Sequence, residues 1–144
     1  MRIKSRNTSA RNNWTTSSSV WEEIFSWTSR GDWISPSEIL NDKIVLEATR
    51  FDGSSTAYLK KHKKRFSFRD VFECDNFFEF ALKNRSKFQA VLTNPPWDHF
   101  FLEVFYKFLL FLEKPFVLIL RSNATRANFF IKVFGTQSKR TIIH

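Results

Sequence analysis

Three short runs of the sequence, 43–48 (KIVLEA), 88–93 (FQAVLT) and 114–122 (KPFVLILRS), are apolar with almost no interruption. A strand with one wet face alternates apolar and polar residues. A strand covered on both faces reads as a near-continuous apolar run. Segment 65–73 (RFSFRDVFE) alternates and predicts a further strand between the first two, and 139–144 (KRTIIH) opens a fifth. Helical patterns fall between them, around 55–64, 75–86, 98–114 and 125–135. The helix at 98–114 (DHFFLEVFYKFLLFLEK) is apolar on most faces and is expected to be largely buried. Strands alternating with helices predict an α/β fold, a mostly parallel sheet with helices on both faces.

Upstream, 19–31 (SVWEEIFSWTSRG) predicts a short helix with Ser19 as N-cap, Glu22 completing a capping box and Gly31 ending it. A second box follows, with Ser35 as cap, Pro36 at the first helical position and Glu38 three residues on. The helix at 75–86 has two candidate caps, Asp75 and Asn76. Residues 1–18 are basic and polar without a core pattern, so the expected organisation is a flexible arm (1–18) and one α/β domain (19–144).

Composition narrows the partners. The 144 residues carry a net charge of +9, which points to anionic partners and to nucleic acid above all. One cysteine, Cys74, excludes an internal disulfide and a cysteine-built zinc site, and no metal is expected. No apolar run reaches the roughly 20 residues that cross a bilayer, and the N-terminus lacks a signal-peptide apolar centre. The expectation is an intracellular protein of unspecified compartment. The 18 phenylalanines read as codon bias and core filling rather than as function.

In an open α/β sheet, ligands bind beyond the carboxyl ends of the strands. Three chemically pointed loops follow strands here: LEATRFDGSST, ECDNFF and TNPPW. The last holds Asn94, Pro95, Pro96 and Trp97, a corner stiffened by two fixed φ angles. It suits an amine conjugated to a ring, such as the exocyclic nitrogen of adenine. The Asn94 side-chain oxygen and the Pro95 carbonyl each accept one amine hydrogen, which aims the nitrogen lone pair at an electrophile. Trp97 stacks on the flat ring, worth about 1–3 kcal/mol per base. The bland alternative is that the prolines only stop the strand and Trp97 packs in the core. Asp98 and His99 read as a solvated helix start. The run 60–65 (KKHKKR) is the best basic cluster, joined by Arg2, Lys4, Arg6 and Arg11 as candidate phosphate contacts.

The corner resembles the catalytic motif of S-adenosylmethionine-dependent amino-methyltransferases, the adenine-N6 group above all, whose pattern is Asp/Asn/Ser-Pro-Pro-aromatic. Further elements resemble compact methyltransferase-like proteins of phages and large DNA viruses: Trp33-Ile34-Ser35-Pro36, Glu47, Asp52-Gly53-Ser54-Ser55, Tyr58-Leu59, Asp75-Asn76-Phe77-Phe78 and Lys114-Pro115-Phe116. The resemblance spans roughly 32–135. It implies a class I, Rossmann-like methyltransferase sheet, shortened at the C-terminus, with S-adenosylmethionine as cofactor. Catalysis would fall to Asn94, Pro95, Pro96 and Trp97. Glu47, Asp52 and Gly53 would hold the cofactor's methionine end, Asp75 and Phe77 its adenine, and Trp33 and Pro36 the pocket wall. Ala48 stands where the family has proline, and Gly53 is the first glycine of the loop. The implied activity is methylation of adenine in DNA or RNA. The alternatives are a catalytically silent methyltransferase-like subunit with an assembly role beside a protein partner, and a protein glutamine methyltransferase.

Overall fold

The computed structural model describes residues 16–48, 53–95, 99–120 and 141–143. Five parallel strands form one sheet: β1 (Ile44–Glu47), β2 (Asp70–Glu73), β3 (Ala90–Thr93), β4 (Phe116–Ile119) and β5 (Thr141–Ile143), in the order β2-β1-β3-β4-β5. The helices are α1 (Ser18–Ile24), α2 (Pro36–Ile39), α3 (Ser54–Lys61), α4 (Phe77–Lys83) and α5 (His99–Leu112), with a single 3-10 turn at Arg85–Lys87. The expected α/β architecture is present, and its central strand, β3, lies in the second apolar run.

The apolar runs are continuous because both faces of the sheet are covered. Leu46, Val91, Phe116 and Leu118 point to one face and pack under α4 and α5, against Phe77, Leu102, Phe105, Tyr106 and Leu109. Val45, Val71, Ala90, Leu92 and Val117 point to the other and pack under α1, α2 and α3, against Trp21, Ile24, Leu40 and Leu59. Crossover handedness explains this division. From β1 the chain steps to β2 in one direction, then back past β1 to β3 and on to β4 in the other. Right-handed connections running in opposite directions must lie on opposite faces.

Local signals decide where the helices start. Ser35 Oγ accepts from the Glu38 amide at 3.2 Å with Pro36 in the first turn, but the reciprocal half of the expected box is relayed through Ser29, whose Oγ accepts from the Ser35 amide at 3.0 Å and donates to Glu38 Oε1 at 2.7 Å. Of the two candidate caps for α4 it is Asn76 that serves, its Oδ1 accepting from the Glu79 amide at 3.1 Å. Two expectations fail upstream. The cap of α1 is Ser17, with no side-chain cap bond, and the helix ends at Ile24 rather than near Gly31. Gly31, at φ 58°, instead turns a tight hairpin in which Arg30 pairs with Trp33. A left-handed φ favours glycine there.

A third difference concerns α5. Leu102, Phe105, Tyr106, Leu109 and Leu112 are buried as expected, but Phe100, Val104 and Phe111 remain exposed, Phe100 at 83%. The expected helix at 125–135 lies outside the described residues. Among the described residues, no helix is long and apolar enough to cross a membrane.

Candidate active site

Strand order reverses at β1, whose neighbours are β2 on one side and β3 on the other. A crevice forms beyond the carboxyl ends of the strands at such a switch point, because the flanking connections leave to opposite faces. The residues that end β1 and β3 are Glu47 and Thr93, and the two strands stay bonded to their last turn, with the Ala48 amide donating to the Leu92 carbonyl at 3.1 Å. Asn94 and Pro95 therefore emerge beside Glu47 and Ala48. Pro95 is buried and Asn94 half-buried, with its Nδ2 donating to Thr16 Oγ1 at 3.2 Å. Pro96, Trp97 and Asp98 lie outside the described residues, and His99 opens α5.

The Glu47 carboxylate is buried, only 3% exposed, and Glu47 is in register with Glu73, the last residue of β2. Both share the strand face of Val45 and Val71, since side chains alternate along a strand. Asp75 is exposed two residues beyond Glu73. Cys74 reports this acidic corner: burial pushes its thiol up to about 12, and the charges of Glu47, Asp75 and Glu73 push the same way. A protonated, buried thiol is a packing residue rather than a nucleophile. Carboxylates at strand ends can accept hydrogen bonds from hydroxyls or an ammonium group. Among the described residues, no group of three histidine, cysteine or acidic side chains is placed to hold a metal ion.

Gly53 sits at φ 83° as the residue before α3, a left-handed cap at the helix start. A side chain would be strained at that φ. Asp52 lies outside the described residues. Behind Gly53, the residues matched to a cofactor loop carry structural work. Ser55 Oγ accepts from the Trp21 indole at 2.8 Å, Tyr58 donates to Glu22, and Leu59 is fully buried. Together with Arg65, which grips Glu22 through both guanidinium nitrogens, they dock α1 onto α3.

The remaining sequence candidates separate. Phe77 is 5% exposed and packs in the core against Phe105 at 5.2 Å and Phe108 at 5.3 Å, so little of its ring surface remains for a ligand. Trp33 closes the Arg30 hairpin with its ring 6.1 Å from that of Trp27, and Pro36 is buried at the start of α2. The basic run at 60–65 lies at the opposite edge of the sheet. Helix α3 starts at the carboxyl end of β1 and carries the chain about 12 Å back, at 1.5 Å per residue. There Lys63 and Lys60 meet Asp70, the first residue of β2, at 3.2 and 4.0 Å.

Two site residues escaped the sequence. Glu73 needed the register of β1 with β2. Thr16, 9% exposed, was assigned to the flexible arm, and its bond to Asn94 places the packed chain's start earlier than residue 19. Comparison with protein-family models, with curated proteins and with solved structures finds no match to this chain.

Proposed function

We propose that this protein is an S-adenosylmethionine-dependent methyltransferase acting on the exocyclic amine of adenine in nucleic acid, built on a class I methyltransferase sheet. The observation that carries the reading is the placement of Asn94-Pro95 at the end of β3, beside the end of β1 at the switch point. The residues present suit the cofactor. Glu47 and Glu73, in register at the ends of β1 and β2, and Asp75 beyond them would supply acceptors for the cofactor's ammonium group and ribose hydroxyls. Gly53, left-handed at the start of α3, would let the backbone approach the cofactor without a side chain in the way.

When bound, S-adenosylmethionine supplies the methyl group as a sulfonium electrophile and leaves as the neutral thioether. The protein's own part is orientation. Asn94 Oδ1 and the Pro95 carbonyl each accept one hydrogen of the amine, so the nitrogen becomes more pyramidal and its lone pair is directed out of the ring system. Proline fixes its own φ, so the acceptor carbonyl is set before the substrate arrives. The methylated nitrogen is cationic and sheds its proton to water, so no strong base is needed. Trp97, by its sequence position, supplies the stacking surface.

The test is transfer of a labelled methyl group from S-adenosylmethionine to adenine-containing single-stranded DNA and RNA. Transfer by the wild type, reduced about 10²-fold or more in Asn94→Ala at unchanged cofactor affinity, is the expected result. Full turnover in Asn94→Ala contradicts the mechanism. A second reading, a catalytically silent binding subunit, is favoured by the buried Ala48 and by a loop whose first glycine is Gly53. It predicts no cofactor binding at all.

A further inference from the structure

We propose that the outer face of α5 is the interface of a two-fold homodimer, in which α5 of one copy packs antiparallel against α5 of a second. Phe100, Val104, Lys107 and Phe111 follow one another at intervals of four, three and four residues. That is the seam spacing of a two-helix contact, and it puts all four on one side of the helix. The three apolar members are exposed, Phe100 at 83% and Phe111 at 55%. A contiguous apolar face left open to water marks an interaction site. On the side of α4, Phe101 and Phe108 border the seam with their rings 6.0 and 5.0 Å from that of Phe78. Exposed Leu82, one turn beyond Phe78 on α4, widens the face.

The pattern is its own complement, which selects a second copy as the occupant. With a two-fold axis level with Phe105 and Tyr106, Phe100 meets Phe111 of the second copy, Val104 meets the stem of its Lys107, and Phe101 meets its Phe108. Lys107 is the charged member of the seam, and Glu103, its ion-pair partner at 3.2 Å, lies beside it. The same axis brings Lys107 of each copy within reach of Glu103 of the other, so the centre is charge-balanced. A polar residue at one seam position fixes register and oligomeric state while lowering stability. The size also fits. A standard interface buries about 800 Å² per partner and is about 65% apolar in homodimers, which asks for about 500 Å² of apolar surface. At about 200 Å² per phenylalanine, Phe100 and Phe111 present on the order of 300 Å². Val104, Leu82 and the half-buried Phe78, Phe101 and Phe108 supply the remainder. The charge of +9 on each chain repels a like copy at long range, but salt at about 0.1 M screens that term beyond about 10 Å.

Sedimentation equilibrium of the full chain tests this without any activity, so the outcome is independent of the methyltransferase reading. The wild type should sediment as a dimer with a dissociation constant of about 10 µM or tighter. Phe111→Glu, at a position the monomer leaves exposed, should weaken association by about tenfold or more, with circular dichroism confirming the fold. Lys107→Glu and Glu103→Lys each place like charges together at the axis, and each should weaken it by about tenfold. The double reversal, Glu103→Lys with Lys107→Glu, should restore association to within about threefold of wild type. A wild type that stays monomeric at about 100 µM overturns the inference. So does a Phe111→Glu dimer as tight as the wild type, or a double reversal no tighter than either single one.

Discussion

Glu22 shows how much one side chain can organise. Its carboxylate accepts from Arg65 and from Tyr58, which together hold its pKa at about 2 against an ordinary 4.5. A carboxyl group depressed on folding stabilises the native state above its unfolded pKa, and that contribution fades as pH falls through the folded value. The thermal midpoint of the wild type should therefore drop between about pH 4.5 and 2 by more than that of Glu22→Gln, as read by circular dichroism. The pair is exposed, so about 1 M salt should shrink the difference. A slope identical in both proteins would remove Glu22 from the account. Cys74 gives a second check. With its thiol pushed up to about 12, alkylation near pH 8 should be slow in the native protein and fast after denaturation. At this scale the sequence disclosed what is local. The Ser35 cap and Pro36 at the first helical turn follow from spacing alone, whereas the Ser29 relay and Thr16, in a Ser/Thr-rich stretch, have nothing nearby to mark them.

Elements were legible where burial dictated composition. The runs at 43–48, 88–93 and 114–122 hold β1, β3 and β4 because each strand is covered on both sides, which leaves no polar face. Boundaries were less legible where aromatic residues sit outside regular structure. Phe66 and Phe68 are buried, yet they fill a turn before β2 rather than the strand their alternation suggested. Helix α1 was misjudged at both ends because its stability comes from docking and not from capping. Trp21, 1% exposed, should therefore dominate it. Trp21→Ala is expected to cost about 3–5 kcal/mol. Ser55→Ala, which strands the indole N–H, should cost about 1–3 kcal/mol in urea unfolding. A loss below about 1 kcal/mol for Trp21→Ala would mean that α1 is not integral to the fold.

For the whole molecule, strand order matters more than any motif. The order β2-β1-β3-β4-β5 puts the reversal at β1, and so brings Glu47, Glu73 and Asn94 to one edge. Neither order nor register is written in a single strand's pattern, which is why Asp75 was legible as a candidate and Glu73 was not. The same topology sends Lys60 to Arg65 to the far edge, where Asp70 and Glu22 engage three of these cations. Lys61→Glu with Lys64→Glu should consequently leave methyl transfer to a short oligonucleotide within about threefold of wild type, the change expected for charges that steer but do not position. A collapse of activity would place the substrate along that edge instead. The central claim is that the crevice at the ends of β1, β2 and β3 holds S-adenosylmethionine. Calorimetric titration of the full chain with this cofactor, beside Glu73→Gln and Asp75→Ala, tests it most directly. The account predicts roughly micromolar binding, near −8 kcal/mol, weakened at least tenfold by Glu73→Gln. No heat of binding at millimolar cofactor would contradict it and leave the fold as a silent module.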